Sequence, residues 1–494
     1  MVALPLKSFS TARSQAVNRV VHNTLPPIRR SFEILLLVAR YGAGFCVGLV
    51  YLCLRRQRDQ YGQLLGDSLA KLCEALGPAF IKAGQILSSR PDLLPAEVGA
   101  PLRRLQNQIA PFDGARAAKI IEAAFERPLP DLFDSFDFEP IASASIAQVH
   151  RARLKDGREV AVKVRRPGVS RIVTNDMRIL SFIAQALSTL PGMKAVPLPE
   201  LVNEFVAPIK QQLDFHMEAA NNRHFRKEFA LVEHIRLPAL VEDLCTENVL
   251  TMEYLDQLQR TDDNSFRASE RKTAALAGLR ALYKMIFIDG FVHADMHPGN
   301  VFVREWGEFV ILDTGLVAIL DEANRRDFVD FFFGLINNEG RECARIIYEN
   351  ASYRAKNFDL EAFEAAMVKL IVKHSALKCH EFEVAGFVYE VIETQRRFKI
   401  RGSTKFMMTI LSMVVFDGIC KQLYPQCDFQ NEARGFLITA RYRRTAALSD
   451  RLARPNVPKM PPSSTAAPMT RYAFGKPTAL ASPANSDGPS TVPI

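Results

Sequence analysis

Two aspartates, an asparagine, a lysine and a glutamate hold most of the chemical potential of this 494-residue sequence. In "FVHADMHPGNVFVREWGEFVILDTGLV", residues 291–317, Asp295 and Asn300 are separated by four residues, and a second apolar run ends on Asp313. The Asp-x4-Asn spacing suits phosphoryl transfer: the Asp orients or deprotonates an attacking hydroxyl, and the Asn oxygen helps hold a divalent ion. Val301-Phe302-Val303 opens one strand and "EFVILD" returns antiparallel to it, which sets Asp313 beside Asn300 and makes an oxygen-rich site suited to Mg²⁺. His293 and His297 have the spacing of a helical metal pair, but Pro298 and Gly299 argue against a helix, so both read as hydrogen bonders that steady the loop.

A metal-phosphate site needs a rigid cation upstream. Lys163 ends "EVAVK", the pattern in which a strand lysine grips nucleotide phosphates. Its expected partner is a glutamate on the next helix, and "QQLDFHMEAANNRHF" offers Glu218, with Asp214 one turn earlier. The phosphate loop has no Gly-x-Gly-x-x-Gly. Ala142, Ser143, Ala144 and Ser145 stand there instead, small enough to let backbone N–H groups approach a phosphate but without the φ > 0 freedom of glycine.

The elements that must position these groups follow from the pattern of the chain. Apolar spacing is helical from Leu64 to about Ala124 and turns to period two after Phe138. "SIAQVHRARL" and "EVAVKVRR" flank an Asp156-Gly157 turn and read as a hairpin. Residues 198–232 read as helix, kinked or split by Pro208; "RLPALVEDLCTENVLTMEYL" as two strands; 268–289 as a strong helix, with helices continuing after the 291–317 hairpin to about 445. The fold class expected is α+β: a bilobal, protein-kinase-like arrangement with added N-terminal helices and a helical C-terminal lobe. The divisions expected are a basic arm at 1–30, an apolar helix at 31–60, a helical region at 61–137, an N-lobe at 138–255, a C-lobe at 256–445, and a disordered Pro/Ser/Ala-rich tail at 446–494, where residues 455–494 hold nine of the 28 prolines.

The excess of positive charge belongs to the ends. Residues 1–60 carry nine Lys/Arg and two Asp/Glu, residues 431–494 nine and three, while the whole chain is only +9. Basic ends beside apolar segments fit an anionic membrane surface better than a nucleic-acid groove. Eight scattered cysteines without a Cys-x-x-Cys pair fit a reducing compartment and exclude a disulfide framework. In "SFEILLLVARYGAGFCVGLVYLCLRR", Glu33 and Arg40 interrupt the apolar run and leave 14 clean residues, Tyr41 to Leu54, against the 20 or so of a spanning helix. A helix lying on or dipping into a membrane, one packed on the protein and a true span all stay open, as does an organellar transit peptide in the acid-free first 30 residues.

Together these residues resemble the UbiB family of atypical kinase-like proteins. The Ala-rich loop matches that family's replacement for the glycine loop, "FIKAGQ" its KxGQ motif with Lys82, Gly84 and Gln85 in register, "ADMHPGNVFV" its catalytic loop, and "MEYL" its hinge, which places Glu253 and Leu255 at the nucleotide. The resemblance runs from about residue 33 to 345 and more weakly to 425. It implies ATP with Mg²⁺ as cofactors, ATPase or kinase chemistry in support of ubiquinone biosynthesis, and membrane lipid, isoprenoid quinone intermediates and other quinone-biosynthesis proteins as partners, with no nucleic acid. It also implies a KxGQ lid that disfavours protein substrates, and a place on the cytoplasmic face of a bacterial inner membrane or, alternatively, the mitochondrial inner membrane or matrix. A nucleotide-binding pseudokinase or lipid-handling scaffold without turnover is the other reading, and a small-molecule phosphotransferase a third. Three departures stand out: Thr314 in place of the Phe after Asp313, Met296 after Asp295, and Gln212 in place of the family's Glu two residues before Asp214, so that either the lid is held less tightly or Asp214 alone carries the contact with Lys82.

Overall fold

The structure, a computed structural model, describes residues 28–88, 96–105, 110–189, 198–263, 266–375, 382–402 and 404–453. The basic arm up to residue 27 and the tail from 454 lie outside the described residues; the first part of the tail expected to be disordered, 446–453, instead continues the helix Phe429–Ala453. The chain forms two compact units, residues 1–443 and 444–494.

Alternating apolar residues build a six-stranded sheet. Its strands are β1 (Phe133–Phe136), β2 (Ala142–Ser143), β3 (Ala147–Leu154), β4 (Glu159–Arg165), β5 (Leu240–Cys245) and β6 (Val249–Glu253), in the order β1-β3-β4-β6-β5 with β2 on β3. The Asp-Gly turn works as expected: Gly157 takes φ +87°, and Arg153 pairs with Glu159 across the hairpin. β4 lies between β3 and β6, and Val160, Val162 and Val164 bury one face against Ala117, Ile121 and Leu132. Lys163 points to the opposite face. The sheet begins at Phe133, inside the segment expected to be purely helical, because β1 is a short edge strand with only four residues of pattern.

Among the helices that precede the sheet are α1 (Ile28–Leu54), α2 (Tyr61–Leu76) and α3 (Pro78–Ser88). α3 carries the Lys82-x-Gly84-Gln85 motif, and a Cβ at Gly84 would meet Leu105 Cδ1 at 2.5 Å, so a larger residue there would have to displace that side chain. After the sheet strand β4 comes α4 (Val169–Ser188). The helical stretch containing Pro208 splits just beyond it: one helix ends at Gln211 and α5 (Phe215–Glu228) starts after Asp214, whose carboxylate accepts the His216 N–H at 2.9 Å as the N-cap.

The remaining helices enclose the main hydrophobic core, where Leu279, Phe287, Phe309, Phe328 and Phe416 are fully buried. Into this helical mass are set β7 (Phe291–His293), β8 (Val301–Arg304), β9 (Glu308–Ile311) and β10 (Val317–Ile319). β8 and β9 pair antiparallel from Val301–Ile311 to Arg304–Glu308, while β7 pairs with β10. The stretch expected to be only helical also holds a strand pair, Ala351–Arg354 with Ile400–Gly402.

Candidate nucleotide site

Lys163 sits in the middle of β4, directly across from Val149 and Leu250, so neighbouring strands fix its backbone. Its ammonium donates to both Glu218 oxygens at 2.7 and 2.8 Å and to Asp313 Oδ2 at 2.9 Å, and it lies 5.3 Å from the Phe215 ring centre. One cation therefore joins the sheet, α5 and the segment after β9. Burial disfavours the charge on Lys163, but Asp313 and Glu218 outweigh it and raise its pKa. Burial and the nearby Asp313 push Glu218 up to about 7 despite Lys163. Asp313 goes the other way: burial opposes ionisation, yet Lys163 and the Gly315 N–H hold its carboxyl far below the usual range. Two carboxylates share one ammonium, and Asp313 keeps the charge.

The Asp295–Asn300 loop is braced by its own histidines. His293 Nδ1 accepts the Asp295 N–H at 3.1 Å, so its proton resides on Nε2, which donates to the Asp313 carbonyl at 2.5 Å. This buried ring links the two acidic segments, and burial lowers its pKa, which keeps it neutral. His297 Nδ1 accepts the Gly299 N–H at 3.0 Å. Asn300 Nδ2 donates to the Asp295 carbonyl at 2.8 Å, which turns Oδ1 into the acceptor open to a ligand.

Thr314 has a defined place. Its hydroxyl donates to the Glu218 carbonyl at 3.1 Å, and its own carbonyl accepts from Asn221 Nδ2 at 2.8 Å, all inside a buried contact. Thr314 thus ties the Asp313 segment to α5 by hydrogen bonds in place of an aromatic ring. Met296 is buried in the main core.

The KxGQ segment reaches the same site by a route the sequence did not indicate. Lys82 Nζ lies 3.2 Å from Asp295 Oδ2. The expected partner Asp214 is occupied as the α5 N-cap, facing its own helix start, so the Lys82–Asp214 pairing is corrected to Lys82–Asp295. Burial would raise the Asp295 pKa, but Lys82 and His297 outweigh it and hold the carboxyl below its ordinary value. Gln85 fixes α3 by donating to the Leu105 carbonyl.

The other residues singled out lie around this centre. Ala142 pairs with Val149 and Val149 with Lys163, so the Ala-rich loop runs into the row that holds the lysine. Ser143 and Ala144 are half-buried and Ser145 is buried. Glu253 ends β6, but its carboxylate is taken up by Arg236 at 2.5 Å and the Ala239 N–H at 3.1 Å, and its own N–H donates to the Ala239 carbonyl at 2.7 Å. Leu255 is buried. Sequence reading did not single out Thr314 as a tether, or Arg166, whose side chain grips the Ala-rich loop.

For Mg²⁺ the donors are of the right kind. Asp313, about one third exposed, and Asn300 Oδ1 supply two hard oxygens. Among the described residues no cluster of three or more His, Cys, Asp or Glu could cage a metal alone.

Residues 104–347 match the ABC1 atypical kinase-like domain. The proteins called "Probable protein kinase UbiB" from Vibrio cholerae serotype O1 (strain M66-2) and Erwinia tasmaniensis are 33% and 32% identical, covering 77% and 76% of this chain and 71% and 70% of their own. A solved Rv3197–erythromycin complex from Mycobacterium tuberculosis aligns with TM-score 0.49 and 20% identity over 76% of this chain and 94% of its own. Identity of this level over more than two thirds of both proteins, with a kinase-like domain spanning Lys163 through Asp313, places the chain in the UbiB family of ABC1 atypical kinase-like proteins.

Proposed function

We propose that this protein is an ATP-binding, Mg²⁺-dependent atypical kinase or ATPase that works at a membrane surface in support of ubiquinone biosynthesis or related isoprenoid-lipid handling. The observation that carries the reading is Lys163 held between Glu218 and Asp313, with Asn300 Oδ1 turned to accept. In this reading Lys163 steadies the nucleotide phosphates, Glu218 orients Lys163, and the Ala142–Ser145 loop offers backbone N–H groups. The hinge backbone at Glu253 and Leu255 receives the base. Asp313 and Asn300 would hold Mg²⁺, which when bound neutralises phosphate charge. Asp295, kept ionised, aligns an attacking hydroxyl or water. Titration calorimetry with ATP should give saturable binding that is lost when Mg²⁺ is chelated; absence of binding with Mg²⁺ present would overturn the reading. The Lys82–Asp295 ion pair favours one competing reading, a nucleotide-binding scaffold whose catalytic Asp stays capped, in which ATP binds without lipid-stimulated phosphate release.

Membrane placement is proposed from α1. Its 27 residues extend about 40 Å. The helix is long and apolar enough to cross a membrane, and only 6% of its most apolar window is buried. Ile34 and Leu52 pack inward, and Arg30 is pinned to Asp176 of α4 at 2.8 Å. On the opposite side Phe32, Leu36, Val47, Val50 and Leu54 are exposed, flanked by Arg29, Arg40, Arg55 and Arg56. A helix packed along one face and apolar on the other suits lying in an anionic interface. Replacing Leu36 and Val50 together by Asp should weaken flotation with phosphatidylglycerol vesicles at least about tenfold, since each buried aliphatic chain contributes roughly 1.5–3 kcal/mol. Undiminished flotation would contradict this placement.

A further inference from the structure

The Ala-rich loop poses a physical problem that the nucleotide reading leaves open. A glycine loop can wrap a phosphate because φ > 0 is accessible to it. Here no residue from Ala142 to Ala147 has positive φ, so ordinary extended and turn conformations must make the loop. Its own ladder is short. Ala142 and Ser143 pair with Val149 and Gln148, and the Ala144 N–H donates to the Ala147 carbonyl at 2.8 Å. A two-residue strand closing such a turn holds little by itself.

Arg166 supplies the remaining hold. Its backbone N–H donates to the Ile146 carbonyl at 2.8 Å. From its side chain, Nε donates to the Ala144 carbonyl at 2.8 Å and Nη2 to Ser143 Oγ at 2.7 Å. Nη2 also donates to the Ala110 carbonyl at 3.0 Å, and the guanidinium lies 5.6 Å from the Phe112 ring centre. One residue therefore grips three positions of the loop, Ser143, Ala144 and Ile146, from the other end of the β3–β4 hairpin and ties them to the chain before the sheet. The anchor is itself fixed: Arg165 pairs with Ala147, and Pro167 restricts the backbone of Arg166. A planar fork of donors can serve separated acceptors at once, whereas a lysine ammonium on a flexible stem cannot hold the same set in one geometry.

The loop lies beside the phosphate-gripping lysine. Ala142, Val149 and Lys163 occupy one cross-strand row, two strand spacings or about 10 Å from end to end. From this placement we propose that Arg166 is the positioning residue of the phosphate site: it holds the Ala142–Ser145 loop in the shape that receives a nucleoside polyphosphate, a task that glycine performs by conformational freedom elsewhere. The ligand class is the di- or triphosphate portion of the nucleotide, not its base. The inference rests on the nucleotide reading given above.

The test compares wild type with Arg166→Gln and Arg166→Lys in two arms. In the first, affinities for adenosine, ADP and ATP are measured with Mg²⁺. Both variants should bind ADP and ATP at least about tenfold more weakly while adenosine affinity is unchanged, because only the phosphate cradle is disturbed. Arg166→Lys keeps charge and stem without the fork, and it carries the test should Arg166→Gln not fold. In the second arm, hydrogen exchange is followed without nucleotide, and the Ala144 amide should exchange at least about tenfold faster in both variants. ATP affinity equal to wild type, restoration by Lys, equal loss for adenosine and ATP, or unchanged exchange would each overturn the role assigned to Arg166. If wild type binds no nucleotide, the parent reading fails, and the exchange arm still decides whether Arg166 holds the loop.

Discussion

Asp313→Asn is expected to lower Mg²⁺-ATP affinity by at least about 100-fold while the protein stays folded. The carboxylate has two jobs in the account: one oxygen takes the Gly315 N–H and the other faces Lys163, and the charge they share is what would attract the metal. An amide keeps the size and one acceptor but removes the charge, and loss of a charged ligand costs far more than loss of a neutral hydrogen bond. Stability should change little, because Lys163 keeps both of its contacts to Glu218. Glu218 should also ionise more readily, since one of the two causes that raise its pKa is removed. Calorimetry with and without Mg²⁺ measures the effect, and equal affinity in the variant would remove Asp313 from the metal site.

Lys163→Met is the second large effect, and it falls on the fold as well as on the ligand. The Glu218 side chain is 4% exposed and that of Lys163 13%, so removing the ammonium leaves the buried Glu218 carboxylate facing Asp313 with no cation between them. Breaking a buried pair from one side costs about 3–5 kcal/mol. The cost depends on pH in a direction fixed by Glu218. Its folded pKa of about 7 already lies above the ordinary 4.5, so its protonated form is favoured by folding, and that contribution is present at low pH and lost as pH rises through the folded pKa. Without Lys163 the pKa moves higher still. The variant should therefore be most destabilised at pH 8 and recover part of the loss by pH 6. Denaturant titrations at the two pH values measure this, and adding Glu218→Gln should restore stability at pH 8 by removing the charge that has no partner. A deficit independent of pH would show that Lys163 acts through packing alone.

Much of this arrangement was legible because its signals are local. The β8–β9 return, the Asp-Gly hairpin before Lys163 and the two strands ahead of the hinge are each written in runs of alternating or apolar residues bounded by turn formers. The α+β class follows from their order. The edge strand at Phe133 and the pair Ala351–Arg354/Ile400–Gly402 were not legible: each strand is only three or four residues long, too short for an alternating pattern to show. The same holds at the site. Lys82 and Asp295 are 213 residues apart, and nothing in the pattern around Lys82 states which acid it meets. Asp214 was the nearer choice by motif, but an Asp just before a helix is drawn to that helix's free N–H groups. Thr314 looked like the loss of a packing ring. Its replacement function, a hydroxyl bonded to the Glu218 carbonyl, depends on how α5 docks and has no sequence signature.

The Lys82–Asp295 contact bears on what the site does once filled. A lysine on the catalytic-loop aspartate keeps that carboxylate ionised and also occupies one side of it. Access for a bulky phosphoacceptor is reduced, whereas water is small enough to reach the remaining face, which directs the proposed chemistry toward hydrolysis or a small acceptor. The direct measurement is Mg²⁺-dependent ATP hydrolysis by wild type and Asp295→Asn, with and without phosphatidylglycerol vesicles. Phosphate release by wild type should rise with vesicles, and release by Asp295→Asn should be at least about 100-fold lower with ATP affinity retained. Equal turnover in the two proteins, or ATP binding by wild type with no release under either condition, would contradict the proposed chemistry.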